Sequence, residues 1–122
     1  MIKWVFHIFN IIFLTLYLYP GSIIGYLVHG NLNIQPQITR DLLVSSNHMY
    51  AFSLLSLLGF LSFYENSRKI IISYLILMSF ILEISHFIIP NRGFQFTDLF
   101  GNIIGIILGL IVFYLFKNWR KR

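Results

Sequence analysis

Two apolar runs separated by a short polar turn decide the fold: IIISYLILMSFILEISHFII (Ile70–Ile89) and FTDLFGNIIGIILGLIVFYLF (Phe96–Phe116), with Pro90-Asn91-Arg92-Gly93 between them. A bilayer-crossing helix needs about 20 mostly apolar residues, and each run has that length. Working outward, a similar run covers Leu42–Phe63, set off from Ile70 by the polar stretch Glu65-Asn66-Ser67-Arg68-Lys69. A first run begins at Trp4 and reaches Tyr19, where Pro20-Gly21 interrupts it and Ser22–Val28 prolongs it. Proline inside a helical pattern ends or kinks the helix, so the first span covers 4–19 or 4–28. An ending at Pro20 followed by an interfacial segment is the expected form. A cleaved signal peptide is the competing account of this run. No small-x-small site follows it, which favours a retained helix.

Composition agrees. The 122 residues are 57% hydrophobic and only 11% charged, with 13 Phe and 7 Tyr, against about 25% charged in ordinary soluble domains. A chain this small has too little interior to hide that apolar surface. A soluble enzyme domain is excluded, and so is a nucleic-acid binder despite the net charge of +5. The absence of cysteine removes disulfides, thiolate metal sites and a thiol nucleophile. The expectation is a single domain over residues 1–122: an all-α integral membrane protein, a four-transmembrane-helix bundle. Lys3, Arg68, Lys69, Lys117, Arg120, Lys121 and Arg122 fall on one side of that bundle, Arg40 and Arg92 on the other. The positive-inside rule then places both termini in the cytoplasm. The basic tail with Trp119 reads as a stop-transfer anchor at the lipid interface.

Ionisable groups inside a span cost about 2.5–3.5 kcal/mol each on insertion scales, so their placement carries information. His48 opens the second span, Glu83 and His86 lie in the last third of the third, Arg92 is in the outer turn, and Asp98 and Asn102 open the fourth. All six fall at the extracytoplasmic end. Glu83 and His86 share a helix face, as do Asp98 and Asn102. The expected arrangement is an outward-opening polar funnel with Glu83 at its floor, about 10 Å below the turn by helical rise. Each member has a plainer reading. Thr97-Asp98 suits a helix N-terminus, Arg92 a headgroup contact, and the histidines interhelical hydrogen bonds. Glu83 is harder to explain in this way, because no helix end needs it there. A mononuclear metal site from His48, Glu83, His86 and Asp98 is chemically feasible, but ligand type alone supports it, so no metal and no cofactor is assigned. Glu83-x-x-His86 occurs once, whereas di-iron bundles need it twice with further glutamates. No Gly-x-Ser-x-Gly elbow or glycine-rich phosphate loop is present. Gly101, Gly105 and Gly109 form a smooth stripe on the fourth span, matched by Ser53, Ser56, Gly59 and Ser62 on the second, a pattern for close helix packing within the chain or between copies.

The stretch from Glu83 through Pro90, Arg92, Asp98 and Asn102 to Gly105 and Gly109 resembles the signature of the VanZ-like membrane family in identity and spacing. His48 with Met49-Tyr50-Ala51-Phe52 resembles the histidine that opens the preceding helix in many members. The resemblance runs from His48 to the C-terminus. His86 stands where the family usually has glutamine, and Val44-Ser45 replace its frequent Asp-Lys pair, with Arg40-Asp41 one turn further back. The resemblance implies a multi-pass protein of the bacterial plasma membrane and cell envelope. It also implies an association with resistance to the glycopeptide teicoplanin.

The leading functional reading is a binding protein. Its ligand is an amphiphile with a polar or anionic head, either a lipid-linked cell-wall precursor or the lipoglycopeptide itself, held by His48, Glu83, His86, Arg92, Asp98 and Asn102. One alternative is a membrane enzyme acting on a polyprenyl-phosphate-type lipid, with Glu83 or His86 as the catalytic base and Arg92 stabilising negative charge. The other is a structural or assembly module. Expected partners are membrane lipids and, through the glycine face, a second copy of the chain; nucleic acid is not among them.

Overall fold

The computed structural model describes all residues, Met1–Arg122, and is entirely helical. In chain order the elements are α1 (Ile2–Leu18), α2 (Ile23–His29), α3 (Ser46–Ser85) and α4 (Phe96–Arg120). The interruption at Pro20-Gly21 is a break. α1 ends at Leu18, Tyr19 is extended, Gly21 takes a φ of +122°, and α2 leaves at 84° to α1. Ser22 starts α2 by accepting the Gly25 amide on its Oγ at 2.9 Å.

α3 is continuous in residue count but not in space. Ser67 has φ −143° and ψ 43°, outside the helical region. In a straight rod His48 and Glu83 would lie about 50 Å apart at 1.5 Å per residue, yet atoms of the two side chains come within 4.8 Å. The helix therefore folds back at Ser67 into two antiparallel limbs, residues 46–66 and 68–85. The polar stretch expected to divide two spans makes this hairpin with a single non-helical residue.

The remaining contacts orient the rods. Lys3 lies over the Phe63 ring and Lys117 pairs with Glu65, so both ends of the chain sit beside the Ser67 fold-back. At the opposite end Tyr17, His48, His86 and Asn102 meet. α1 and the second limb run one way, and the first limb and α4 the other. Basic residues 68, 69, 117, 120, 121 and 122 collect at the fold-back end.

An aromatic and aliphatic core joins the rods through Phe6, Phe13, Phe52, Leu55, Phe60, Leu75, Ile106 and Phe113. Phe13 meets Phe52 edge-on at 5.0 Å and lies stacked against Tyr17 at 4.5 Å, geometries that suit the ring quadrupoles. The glycine stripe is used inside the chain. A Cβ on Gly105 would lie 2.5 Å from the Met49 carbonyl, and one on Gly109 would lie 2.8 Å from that of Ser53. Of the two packings the stripe suits, the one within the chain is used, against the first limb of α3. Outward faces remain apolar, with Ile11, Ile12, Leu77, Ile81, Ile107, Ile111 and Leu115 all exposed. α4 alone is long and apolar enough to cross a membrane by itself, with a mean hydropathy of 2.5 over its best window; α1 and α2 qualify only as a bent pair.

Candidate functional site

The site lies at the end of the bundle away from the fold-back. Asn102 is at its centre, fully buried on the second turn of α4. Its Nδ2 donates to the Ser79 carbonyl at 3.3 Å. Its Oδ1 is left to accept from the Tyr17 hydroxyl and from His48 Nδ1, both at 3.0 Å. One amide thus ties α1, both limbs of α3 and α4 together. Because Oδ1 can only accept, His48 carries its proton on Nδ1. Its Nε2 faces Asp98 Oδ2 3.5 Å away, with a lone pair in the neutral ring and as an ion-pair donor in the imidazolium.

Depth increases from Asp98 inward. The His48 and Asp98 side chains are 14% and 17% exposed, whereas His86 and Glu83 are 2% and 0% exposed. His86 Nε2 donates to the Tyr17 carbonyl at 3.1 Å, and its Nδ1 faces Glu83 Oε2 at 3.4 Å. Glu83 Oε1 accepts the Gln95 amide at 2.9 Å, and Gln95 is the residue that caps α4. A helix end does use Glu83, although it belongs to the following helix. Oε2 is sealed from solvent and has no hydrogen-bond partner. The cap is Gln95 and not Thr97-Asp98, which lie inside the first turn of α4, where Asp98 meets the macrodipole as the expected first-turn acid.

Arg92 stands apart from the carboxylates. Its Nη2 donates to the carbonyls of Leu16 and Gly21 at 2.9 and 2.7 Å, and its Nε donates to that of Tyr19 at 3.2 Å. It gathers carbonyls left open where α1 stops, which a planar guanidinium does well. The turn that presents it uses Asn91 at a φ of +59°.

These groups face a polar cavity of about 350 Å³. Its walls include His48, His86, Arg92 and Asp98, while Glu83 and Asn102 lie behind them. The turn before α4 adds Asn91, Gly93 and Gln95, and the segment between α2 and α3 supplies Asn33, Gln35, Gln37 and Asp41. That segment is tied down. Asn47 Nδ2 donates to the Pro36 carbonyl at 2.7 Å, Ser46 Oγ donates to Thr39 at 2.6 Å, and the Asp41 carboxylate accepts the Ser46 amide at 2.8 Å. The Ser46 amide holds the Asp41 carboxyl below the usual carboxylate range. A second, apolar hollow of about 460 Å³ runs between α1, α2 and the start of α3, lined by Phe9, Ile12, Leu16, Ile38 and Leu54 among others. The two hollows share Ser22, Gln35, Gln37, Asn47, His48 and Arg92.

Five of the six expected residues form one connected group: His48, Glu83, His86, Asp98 and Asn102. Arg92 borders it. Sequence reasoning missed Tyr17, which is stacked on His86 at 6.0 Å and edge-on to His48 at 4.8 Å. Nothing distinguishes Tyr17 within an apolar run. It also missed the connecting segment, whose run of Asn, Gln and Asp was the available signal.

Comparisons with curated proteins and with solved structures found no match. A family model described as VanZ/LLP1 matches residues 4–117. The match takes in all four helices and every residue of the polar group, and the chain belongs to the VanZ/LLP1 family.

Proposed function

We propose that this chain is a multi-pass cell-envelope protein of the bacterial plasma membrane. In this reading it binds an amphiphile whose polar or anionic head enters the cavity beside His48, His86 and Asp98. The hydrophobic chain of the ligand lies in the adjoining apolar hollow. The observation that carries this reading is the shared wall between a polar hollow and an apolar one at one end of the bundle. Binding sites are typically concave with a few convergent polar groups, and this pair matches a molecule that is itself divided.

Four rods of about 25–37 Å, by helical rise, are suited to a hydrocarbon core of about 30 Å. The apolar outward faces of these rods would face lipid. The basic fold-back end then faces the cytoplasm with both termini, and the polar cavity opens outward. Lipid-linked cell-wall precursors and lipoglycopeptides share the required chemistry. Membership of the VanZ/LLP1 family is the reason to include teicoplanin. The test is the teicoplanin susceptibility of a sensitive host expressing wild type, Asp98→Asn or Glu83→Gln at matched membrane abundance. The reading predicts a gain in resistance that either substitution removes. Equal susceptibility with and without the chain would remove the glycopeptide from the list of ligands.

A further inference from the structure

The inner wall of the cavity holds an electrostatic mismatch. One ligand atom from each of His48, Glu83 and Asp98 lies within 4.8 Å of the other two, and with the His48 ring neutral all three are acceptors. His48 donates its Nδ1 proton to Asn102 Oδ1, so the neutral ring carries a lone pair on Nε2. Asp98 Oδ2 faces that lone pair at 3.5 Å. Glu83 is fully buried, with Oε2 unpartnered while Oε1 takes the Gln95 amide. Acceptors facing one another in a buried site repel unless a positive charge lies among them.

We propose that His48, Glu83 and Asp98 bind a divalent cation of the zinc class, a site that the sequence alone did not assign. Imidazole nitrogen and carboxylate oxygen are both zinc donors, and three protein ligands with a fourth position left open is the pattern of catalytic zinc sites. Two carboxylates and one neutral imidazole balance a charge of +2. Bond lengths of about 2.0–2.2 Å ask the three atoms to draw together by about 1 Å. The Asn102 amide plays the outer part: by taking the Nδ1 proton it orients the ring and leaves Nε2 free for the metal. His86 stands in the cavity wall in front of Glu83, with Nδ1 3.4 Å from Oε2. The open coordination position would face the cavity, where an anionic headgroup oxygen completes the shell. That last step rests on the binding reading above, whereas the metal site itself does not.

The experiment uses metal alone. Purified full-length chain in nanodiscs is titrated with Zn²⁺ by calorimetry near neutral pH, and bound metal is counted by mass spectrometry. The proposal predicts one Zn²⁺ per chain. It also predicts loss of that binding in Asp98→Asn and His48→Gln, and unchanged binding in Glu65→Gln at the opposite end. Asn102→Ala, which touches no metal, is expected to weaken binding by about 10–100-fold. Co²⁺ bound to the unaltered chain should give the visible bands of a four-coordinate nitrogen and oxygen site, a readout that needs no variant to fold. Absence of Zn²⁺ binding, or binding that survives both ligand substitutions, overturns the proposal and leaves a shared proton as the charge among the three groups. No polyprenyl phosphate or glycopeptide is added in any arm, so failure here leaves the binding reading standing, and failure of amphiphile binding leaves the metal site standing.

Discussion

His48 Nδ1 and the Asn102 side-chain oxygen lie 3.0 Å apart, although 54 residues separate them in the chain. The contact fixes the histidine ring and its protonated nitrogen, and the same oxygen accepts from Tyr17 of α1. Replacing Asn102 with alanine strands the Tyr17 hydroxyl and His48 Nδ1 together and removes a second donor from the Ser79 carbonyl. Each polar group left unpaired in a buried site costs about 1–3 kcal/mol. Asn102→Ala should therefore lower the denaturation midpoint in detergent markedly, while Asn118→Ala at the exposed end of α4 should leave it unchanged. Equal midpoints for the two variants would show that the Asn102 network contributes nothing to the bundle.

Close approach of α4 to the first limb of α3 depends on Gly105. A Cβ there would lie 2.5 Å from the Met49 carbonyl oxygen and 2.8 Å from the Phe52 Cβ, neither of which is the free end of a flexible side chain. Gly105→Ala should destabilise by about 1–3 kcal/mol, as overpacking does. Gly93→Ala meets nothing within 4 Å and should be neutral. Thermal unfolding of the two proteins side by side decides the matter.

Arg92 closes the C-terminal end of α1 through three carbonyls. Lysine keeps the charge but lacks the planar fork, so Arg92→Lys should open the Leu16–Gly21 region. Amide hydrogen exchange through residues 18–25 should speed up, with the fold-back at Ser67 unaffected. Exchange as slow as in the unaltered chain would contradict the bridging role.

Asp41 makes the segment before α3 sensitive to acid. Its carboxyl titrates below the ordinary value because the ionised form accepts the Ser46 amide. A depressed folded value means that the contribution is present above the unfolded value of about 3.9 and is lost as pH falls through the folded one. Proteolysis of residues 31–45 should therefore rise below about pH 4 in wild type. Asp41→Asn, having no carboxylate to lose, should be cleaved more readily at neutral pH and change little on acidification.

Much of this architecture was legible in the sequence because its signals were local. Apolar runs bounded by Glu65–Lys69 and Pro90–Gly93 mark the rods, and Pro20-Gly21 marks the break after α1. The four-residue spacing of Gly101, Gly105 and Gly109 marks the face that packs. The common depth of His48, Glu83, His86, Asp98 and Asn102 foretold one polar group at one end. What was not legible depended on contacts distant in sequence. Tyr17 looks like any aromatic residue of an apolar helix until it meets Asn102, 85 positions away. Glu83 looked unattached because the helix end it serves is α4, beyond the turn. The part Arg92 plays in closing α1 was hidden, since its carbonyl partners lie more than 70 residues earlier.

The central claim is that the polar cavity and its apolar neighbour hold the two parts of one amphiphile. Its most direct test is binding of a polyprenyl phosphate to the purified chain in nanodiscs, followed by native mass spectrometry. The comparisons are the corresponding polyprenol without the phosphate and the variants Asp98→Asn and Leu54→Asp. The account predicts retention of the phosphate form over the alcohol, weakened by Asp98→Asn at the head and by Leu54→Asp in the apolar hollow. Equal retention of phosphate and alcohol, unaffected by either substitution, would contradict it.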